Sequence, residues 1–295
     1  VAILIITYGS AGEDLAKSIS KITGQTLVET NCRRFPDGEQ YIKIMGELSG
    51  EDVAIVQSFG LNPDQLFMEY ALIADAARGS GCRSVTAIVP YLAYARQDRR
   101  FQSGEALSAK LFPRLIEDAG TDRVITVDMH LHRFREIGQV FRIPAANLSA
   151  MPLLAEYYGK RRGSRNALVI GPDKESEQWA ESVAKKLSTD YTILEKERLG
   201  DRDVEVSGDL CVKGRSVVLV DDIISTGKTL MEVISRLKAE GASRIDALVT
   251  HALLVENALP KLKRAGLSEL IATDTVANPA AKVSVSPLIA EALKK

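Results

Sequence analysis

Short apolar runs, each closed by a turn and followed by a segment of helical period, recur along the whole of this 295-residue chain. Residues 1–7, 52–58, 85–90, 123–128, 167–171, 217–220, 245–251 and 269–273 are such runs. Near-continuous apolar runs, rather than alternating ones, imply strands covered on both faces. Between them, 62–79, 105–119, 149–161, 175–187, 230–239 and 257–265 carry apolar residues at helical spacing, and 286–293 reads as a last helix. Ser10 to Glu13 has capping-box spacing ahead of Leu15, Ile19 and Ile22 on one helical face. Strands joined through helices build mostly parallel sheets flanked by helices, an α/β fold. Two stretches depart from the pattern. Residues 26–33 and 40–45 read as a hairpin or flap around a turn, and 191–195 is a strand followed by a polar loop to 209. The alternation restarts after 143–149, where Pro144 interrupts it, and the length fits about two domains. With no low-complexity linker, packed rather than tethered domains are expected.

The most informative turn follows the run at 217–220. Asp221 and Asp222 stand side by side, then come Ser225, Thr226, Gly227, Lys228 and Thr229 at the start of a helix. Free N–H groups at a helix start, with hydroxyls beside them, suit a phosphate. Carboxylates repel phosphate and suit hydroxyl groups or a metal. A loop that takes an anion at one end and hydroxyls at the other describes a sugar phosphate. Thr226-Gly227-Lys228-Thr229 imitates the end of a P-loop, but that motif needs a glycine where Asp222 stands.

Other post-strand turns carry further chemistry. Arg33 to Glu39 sets Phe35, Asp37 and Glu39 on a Pro-Asp-Gly turn, either a plain hairpin turn or a base-binding lip with a ring to stack on. The loop after 85–90 places Arg96, Gln97, Arg99 and Arg100 among aromatics, which suits a polyphosphate better than a long nucleic acid. His130 and His132 share a face after Asp128, but with only His251 elsewhere no tetrahedral zinc set assembles. Asp173 is a helix cap or a cleft carboxylate. Lys196 and Arg198, at i and i+2, read by themselves as a charged strand edge.

Composition excludes several classes. Lys and Arg total 38 against 39 Asp and Glu, so no electrostatic footprint for nucleic acid exists. No run approaches the roughly 18 apolar residues of a membrane span. Cys32, Cys82 and Cys211 form no C-x-x-C pair, as expected of a reducing compartment, and the cytoplasm is the default.

Taken in order, Arg34-Phe35-Pro36-Asp37-Gly38-Glu39, Tyr94-Ala95-Arg96-Gln97-Asp98-Arg99, Val127-Asp128-Met129-His130, Gly171-Pro172-Asp173, Lys196-Glu197-Arg198 and the turn at 220–227 resemble the ribose-phosphate pyrophosphokinase (phosphoribosyl pyrophosphate synthetase) family. The resemblance implies two phosphoribosyltransferase-type domains, 1–145 and 146–279, with the active site between them and the tail 280–295 packed back on the first. It implies Mg²⁺-dependent transfer of the β,γ-diphosphoryl group of ATP to the 1-hydroxyl of ribose 5-phosphate. Phe35, Asp37, Gly38, Glu39, Arg96, Gln97 and Arg99 then match ATP contacts, and the flap around Phe35 implies a homo-oligomer in which it reaches a neighbouring subunit's site. His130 and Asp173 match the positions holding Mg²⁺–ATP. Lys196 and Arg198 match the catalytic loop, with Arg198 also toward ribose 5-phosphate. Asp221, Asp222, Ser225, Thr226, Gly227, Lys228 and Thr229 match the ribose 5-phosphate seat. Two departures stand out: Ser225 replaces an acidic residue of many members, and Lys228 replaces a glycine. The short segment 200–213 resembles the archaeal-type branch. Two alternatives compete, a type I phosphoribosyltransferase, which shares the 221–227 loop, and a non-catalytic regulatory paralogue.

Overall fold

The structure is a computed structural model that describes residues 3–131, 133–134, 136–163, 166–198, 204–207 and 211–294, with the backbone alone for 195–198 and 204–207. His132 and, within the segment 200–213, residues 200–203 and 208–210 lie outside the described residues. The chain divides into two compact units. The first runs to Leu148 and takes in Thr275–Ala277 and the chain from Ser284 onward; the second is Ser149–Asp274 with Asn278–Val283.

In the first unit, β1 (Leu4–Tyr8), α1 (Glu13–Thr23), β2 (Thr26–Leu27), β3 (Thr30–Arg34), β4 (Gln40–Ile44), β5 (Asp52–Val56), α2 (Pro63–Gly79), β6 (Ser84–Val89), α3 (Ser108–Asp118), β7 (Arg123–Val127) and β8 (Ala145–Leu148) follow in order. Six of the strands form one parallel sheet in the order β2-β1-β5-β6-β7-β8. Ile6, Val53, Ile55, Val85, Ile88, Val124 and Ile125 are buried, as strands covered on both faces require. β3 and β4 leave the sheet as a separate antiparallel hairpin with Arg33 opposite Tyr41.

In the second unit come α4 (Met151–Arg162), β9 (Ala167–Gly171), α5 (Glu177–Leu187), β10 (Asp190–Ile193), β11 (Glu195–Arg198), β12 (Val204–Ser207), β13 (Ser216–Ile224), α6 (Lys228–Ala239), β14 (Arg244–Ala252), α7 (Ala258–Ala265), β15 (Glu269–Thr273) and β16 (Ala281–Val283). Its parallel sheet has the order β10-β9-β13-β14-β15-β16. That is the first unit's topology repeated, so each sheet has a switch point: β1 beside β5, and β9 beside β13. α8 (Ser286–Leu293) returns to the first unit, packs on α1 and gives the Ala292 carbonyl to Arg123 at 3.0 Å. The tail is therefore divided, because 281–283 pairs with β15 in the second sheet before α8 begins.

Several local expectations fail for identifiable reasons. No capping box forms at Ser10; α1 starts at Glu13 behind Gly12 with no side-chain cap, because Ser10 gives its N–H and its hydroxyl to Glu69. α3 begins at Ser108 rather than at 105, since the Glu105 carboxylate folds back onto the N–H groups of Phe101 (2.7 Å) and Gln102 (3.1 Å). The loop expected after 195 contains β12, paired antiparallel with β11. The edge strands β8 and β16 are not apolar enough to stand out in the sequence.

Candidate active site

The turn of the β3–β4 hairpin is held by its own backbone. Phe35 N–H donates to the Glu39 carbonyl at 2.8 Å, Gly38 N–H to Phe35 at 2.9 Å, and Glu39 N–H to Asp37 Oδ1 at 3.1 Å. Gly38 has φ +99°, which the turn requires and a side chain resists. Phe35 is 39% exposed, so a ring face is available at the tip. Arg33 lies over both Phe35 (4.8 Å) and Tyr41 (4.1 Å), and the two rings meet edge-on at 6.0 Å. A cation on one side of a ring restricts its motion while leaving π surface for a base. Arg33 and Tyr41 were not singled out by the sequence, although counting cross-strand pairs back from the Pro-Asp-Gly turn would have found them.

Arg96, Gln97 and Arg99 follow β6, and His130 follows the adjacent β7, so both segments stand at the carboxyl ends of neighbouring parallel strands. Asp98 joins them by accepting Arg133 Nε at 3.2 Å. Gln97 is anchored through its carbonyl, which takes Ala109 N–H at 3.2 Å. Arg96 is exposed, and Arg99 stacks over Phe101 at 4.3 Å. The chain turns sharply before His130 because Asp128, buried, has φ +36°, while its N–H bonds Leu148 at 2.7 Å and Met129 N–H bonds Asn147 Oδ1 at 2.9 Å. A non-glycine residue held there costs on the order of 1–3 kcal/mol, and such strain gathers at functional turns.

In the second unit, the turns after β9 and β13 adjoin because those strands are paired. Asp173 caps the short turn Lys174–Ser176, accepting Glu175 N–H at 3.1 Å, so the cap reading is correct. It also stands close enough to Asp221 to act on it. The Asp221 carboxyl is held well above the ordinary carboxylate range, first by burial and then by the negative charges of Asp222 and Asp173. Asp222 is buried, and its N–H bonds Asp221 Oδ1 at 3.0 Å. Immediately beyond, α6 starts at Lys228 behind Gly227, which has φ +72° and no side-chain cap. Its first N–H groups point out with Ser225, Thr226 and Thr229 around them, all half-buried, while Lys228 is exposed. A side chain at Gly227 would also press on Leu262 at 3.3 Å. Carboxylates and an uncapped helix start are thus neighbours, as a sugar phosphate demands.

One expected association is not made within one unit. His130 belongs to the first unit and Asp173 to the second, and among the described residues no cluster of His, Cys, Asp or Glu could hold a metal by itself. Lys196 and Arg198 lie on β11, opposite Val206 and Val204, with side chains outside the described residues. No helix among the described residues is long and apolar enough to cross a membrane.

Comparison with known proteins finds two family models along the chain. The family model for the N-terminal domain of ribose phosphate pyrophosphokinase matches residues 4–120, and that for the phosphoribosyl transferase domain matches 136–279. The ribose-phosphate pyrophosphokinase of Methanopyrus kandleri is 41% identical over 294 residues, covering 99% of both chains. That of Methanothermobacter thermautotrophicus is 40% identical, over 97% of this chain and 98% of the other. The crystal structure of phosphoribosylpyrophosphate synthetase from Mycobacterium smegmatis superposes with a TM-score of 0.89 at 29% identity, covering 99% of this chain and 98% of that one.

Proposed function

The chain belongs to the ribose-phosphate pyrophosphokinase family and is an enzyme of that kind, and on this premise we propose how its two units divide the reaction. The anomeric hydroxyl of ribose 5-phosphate attacks the β-phosphorus of ATP, and the two terminal phosphates leave AMP together to give phosphoribosyl pyrophosphate. The nucleotide belongs to the first unit. Phe35 stacks on the base, and Asp37, Gly38 and Glu39 meet its edge. Arg96, Gln97 and Arg99 hold the phosphates, where arginine offers planar multidentate donors.

The sugar phosphate belongs to the second unit. Asp221 and Asp222 accept the ribose hydroxyls, and the start of α6, with Ser225 to Thr229, receives the 5-phosphate. Lys196 and Arg198 stabilise charge on the transferred group, the main requirement of phosphoryl-type transfer. The observation that carries this assignment is the crowding of Asp173, Asp221 and Asp222 beside a helix start without a side-chain cap. Reading the chain as a lone type I phosphoribosyltransferase would leave the match of residues 4–120 to the N-terminal domain of ribose phosphate pyrophosphokinase unexplained.

Mg²⁺ fits this donor set. The ion takes one or two carboxylates together with substrate phosphates rather than a complete protein cage, and carboxylates crowded enough to raise Asp221 accommodate a cation. Asp173 would hold it directly, and His130 through water or phosphate, since imidazole is not a typical Mg²⁺ ligand. Bound with the nucleotide, it supplies neutralisation of phosphate charge. A homo-oligomer is part of the proposal: the exposed Phe35 tip supports a flap serving a neighbouring copy. So is the cytoplasm, where both substrates are held as charged metabolites.

Purified protein given Mg²⁺, ATP and ribose 5-phosphate is expected to release AMP, and none when the sugar phosphate is left out. ADP as the product would sink attack at the β-phosphorus. Lys196→Ala is expected to lower turnover by orders of magnitude while nucleotide binding survives.

A further inference from the structure

α2 opens with Asn62 at φ +60° and Pro63 at the first helical position, so its first turn leaves the loop at a fixed angle. The two residues that follow reach in different directions. Gln65 holds the β3–β4 hairpin twice: its carbonyl accepts Gln40 Nε2 at 3.0 Å, and its Oε1 accepts Arg34 Nη2 at 3.1 Å. The same guanidinium donates to the Gly38 carbonyl at 3.2 Å, so the grip extends to the turn itself. Asp64 accepts the hydroxyl of Tyr94. Tyr94 has φ +62°, its carbonyl takes Ser108 Oγ at 2.9 Å, and its ring lies 4.8 Å from Phe112. A tyrosine in the left-handed region is strained and persists only where its surroundings hold it. Arg96 and Gln97 follow directly from that turn.

We propose that Asp64 and Gln65 are positioning residues for nucleotide binding, with Gln65 setting the hairpin tip and Asp64 the turn that presents Arg96. The proposal rests on the assignment of the hairpin and the 94–99 loop to ATP. Ordinary surface hydrogen bonds would not fall on adjacent residues of one helical turn and each end beside a nucleotide-contacting segment. Arg34 directly precedes Phe35, and Tyr94 stands just before Arg96. Neither bond joins groups that a folded core needs, because Asp64 and Gln65 are both exposed. Their loss should therefore act on the site more than on stability.

Steady-state kinetics with thermal melts test this. Gln65→Met keeps length and helix propensity but lacks the acceptor, and Tyr94→Phe lacks the donor. Each is expected to raise KM for ATP by roughly three- to tenfold, the worth of one net hydrogen bond. KM for ribose 5-phosphate and Tm should stay as in the parent protein, and Gln65→Glu, which restores an acceptor to Arg34, should recover the ATP KM. Phe35→Ala separates the proposal from the assignment beneath it. If Phe35→Ala raises KM for ATP while Gln65→Met and Tyr94→Phe do not, the positioning role is overturned and the hairpin remains a nucleotide site. If none of the three moves KM for ATP, both are overturned. A Gln65→Met effect shared equally by both substrates, or accompanied by a lowered Tm, would mark a merely structural contact and overturn it as well.

Discussion

The crevice between β1 and β5 in the first unit and that between β9 and β13 in the second have the same topology and opposite arrangements of charge. After β1, the loop turns its donors inward onto a carboxylate of the protein itself. Glu69 of α2, only 7% exposed, accepts the N–H and hydroxyl of Ser10 and also Gln57 Nε2 at 2.9 Å, while Gln57 Oε1 takes Ala11 N–H at 3.0 Å. Even a methyl on Gly9 would stand 2.6 Å from both side chains. After β9 and β13, by contrast, Asp173, Asp221 and Asp222 crowd like charges together, and α6 begins without a side-chain cap. The first crevice is closed on its own carboxylate; the second is the one proposed to receive hydroxyls, a cation and a phosphate. The fold offers two equivalent places, and side chains decide which of them receives a ligand. In the first unit the candidate ligand residues accordingly sit elsewhere, on the β3–β4 hairpin and after β6 and β7.

The comparison can be broken most severely at the carboxylate pair. Asp221→Asn with Asp222→Asn is expected to lower turnover by about a hundredfold or more while ATP binding persists; near-parental turnover would remove the pair from the mechanism. Next is Glu69→Gln, which puts an amide where the Ser10 and Gln57 donors need an acceptor. It should cost about 2 kcal/mol of stability, read as a lower urea midpoint, with KM for ribose 5-phosphate unchanged. An unaltered midpoint would mean that the first crevice does not depend on its own carboxylate.

A smaller effect follows from the raised Asp221 pKa. A carboxyl that binds its proton more tightly folded than unfolded adds stability at low pH, and that contribution is lost as pH rises through the raised pKa. Metal-free, ligand-free protein should therefore gain stability from this group as pH falls from the raised pKa toward the ordinary carboxylate range. One proton limits the slope to about 1.4 kcal/mol per pH unit. Asp221→Asn should remove that component; an identical pH profile would contradict the crowding. Smallest is Lys228→Ala, expected to raise KM for ribose 5-phosphate roughly two- to fivefold at low salt, with the difference shrinking as salt is added, since an exposed charge is screened.

What the sequence reveals divides along similar physical lines. Both sheets are legible because their central strands are continuous apolar runs, whereas β8 and β16 are short edges and β2 is two residues long. The Ser10–Glu13 pattern misleads because a local cap loses to Glu69, a partner 59 residues away. The candidate phosphate seat is legible because its carboxylates, hydroxyls and helix start are contiguous in the chain. The action of Asp173 on Asp221 is not, because only the pairing of β9 with β13 brings those turns together. Arg33 and Tyr41 stayed hidden for a related reason: their role lies in the cross-strand register rather than in either residue alone.

The most direct test is calorimetric titration of ribose 5-phosphate into the full chain, beside the Asp221→Asn, Asp222→Asn double variant and Glu69→Gln. One sugar phosphate bound per chain in the parent and in Glu69→Gln, with binding lost or greatly weakened in the double variant, is the predicted result. Two per chain, or undiminished binding by the double variant, would contradict the assignment of the sugar phosphate to the second crevice.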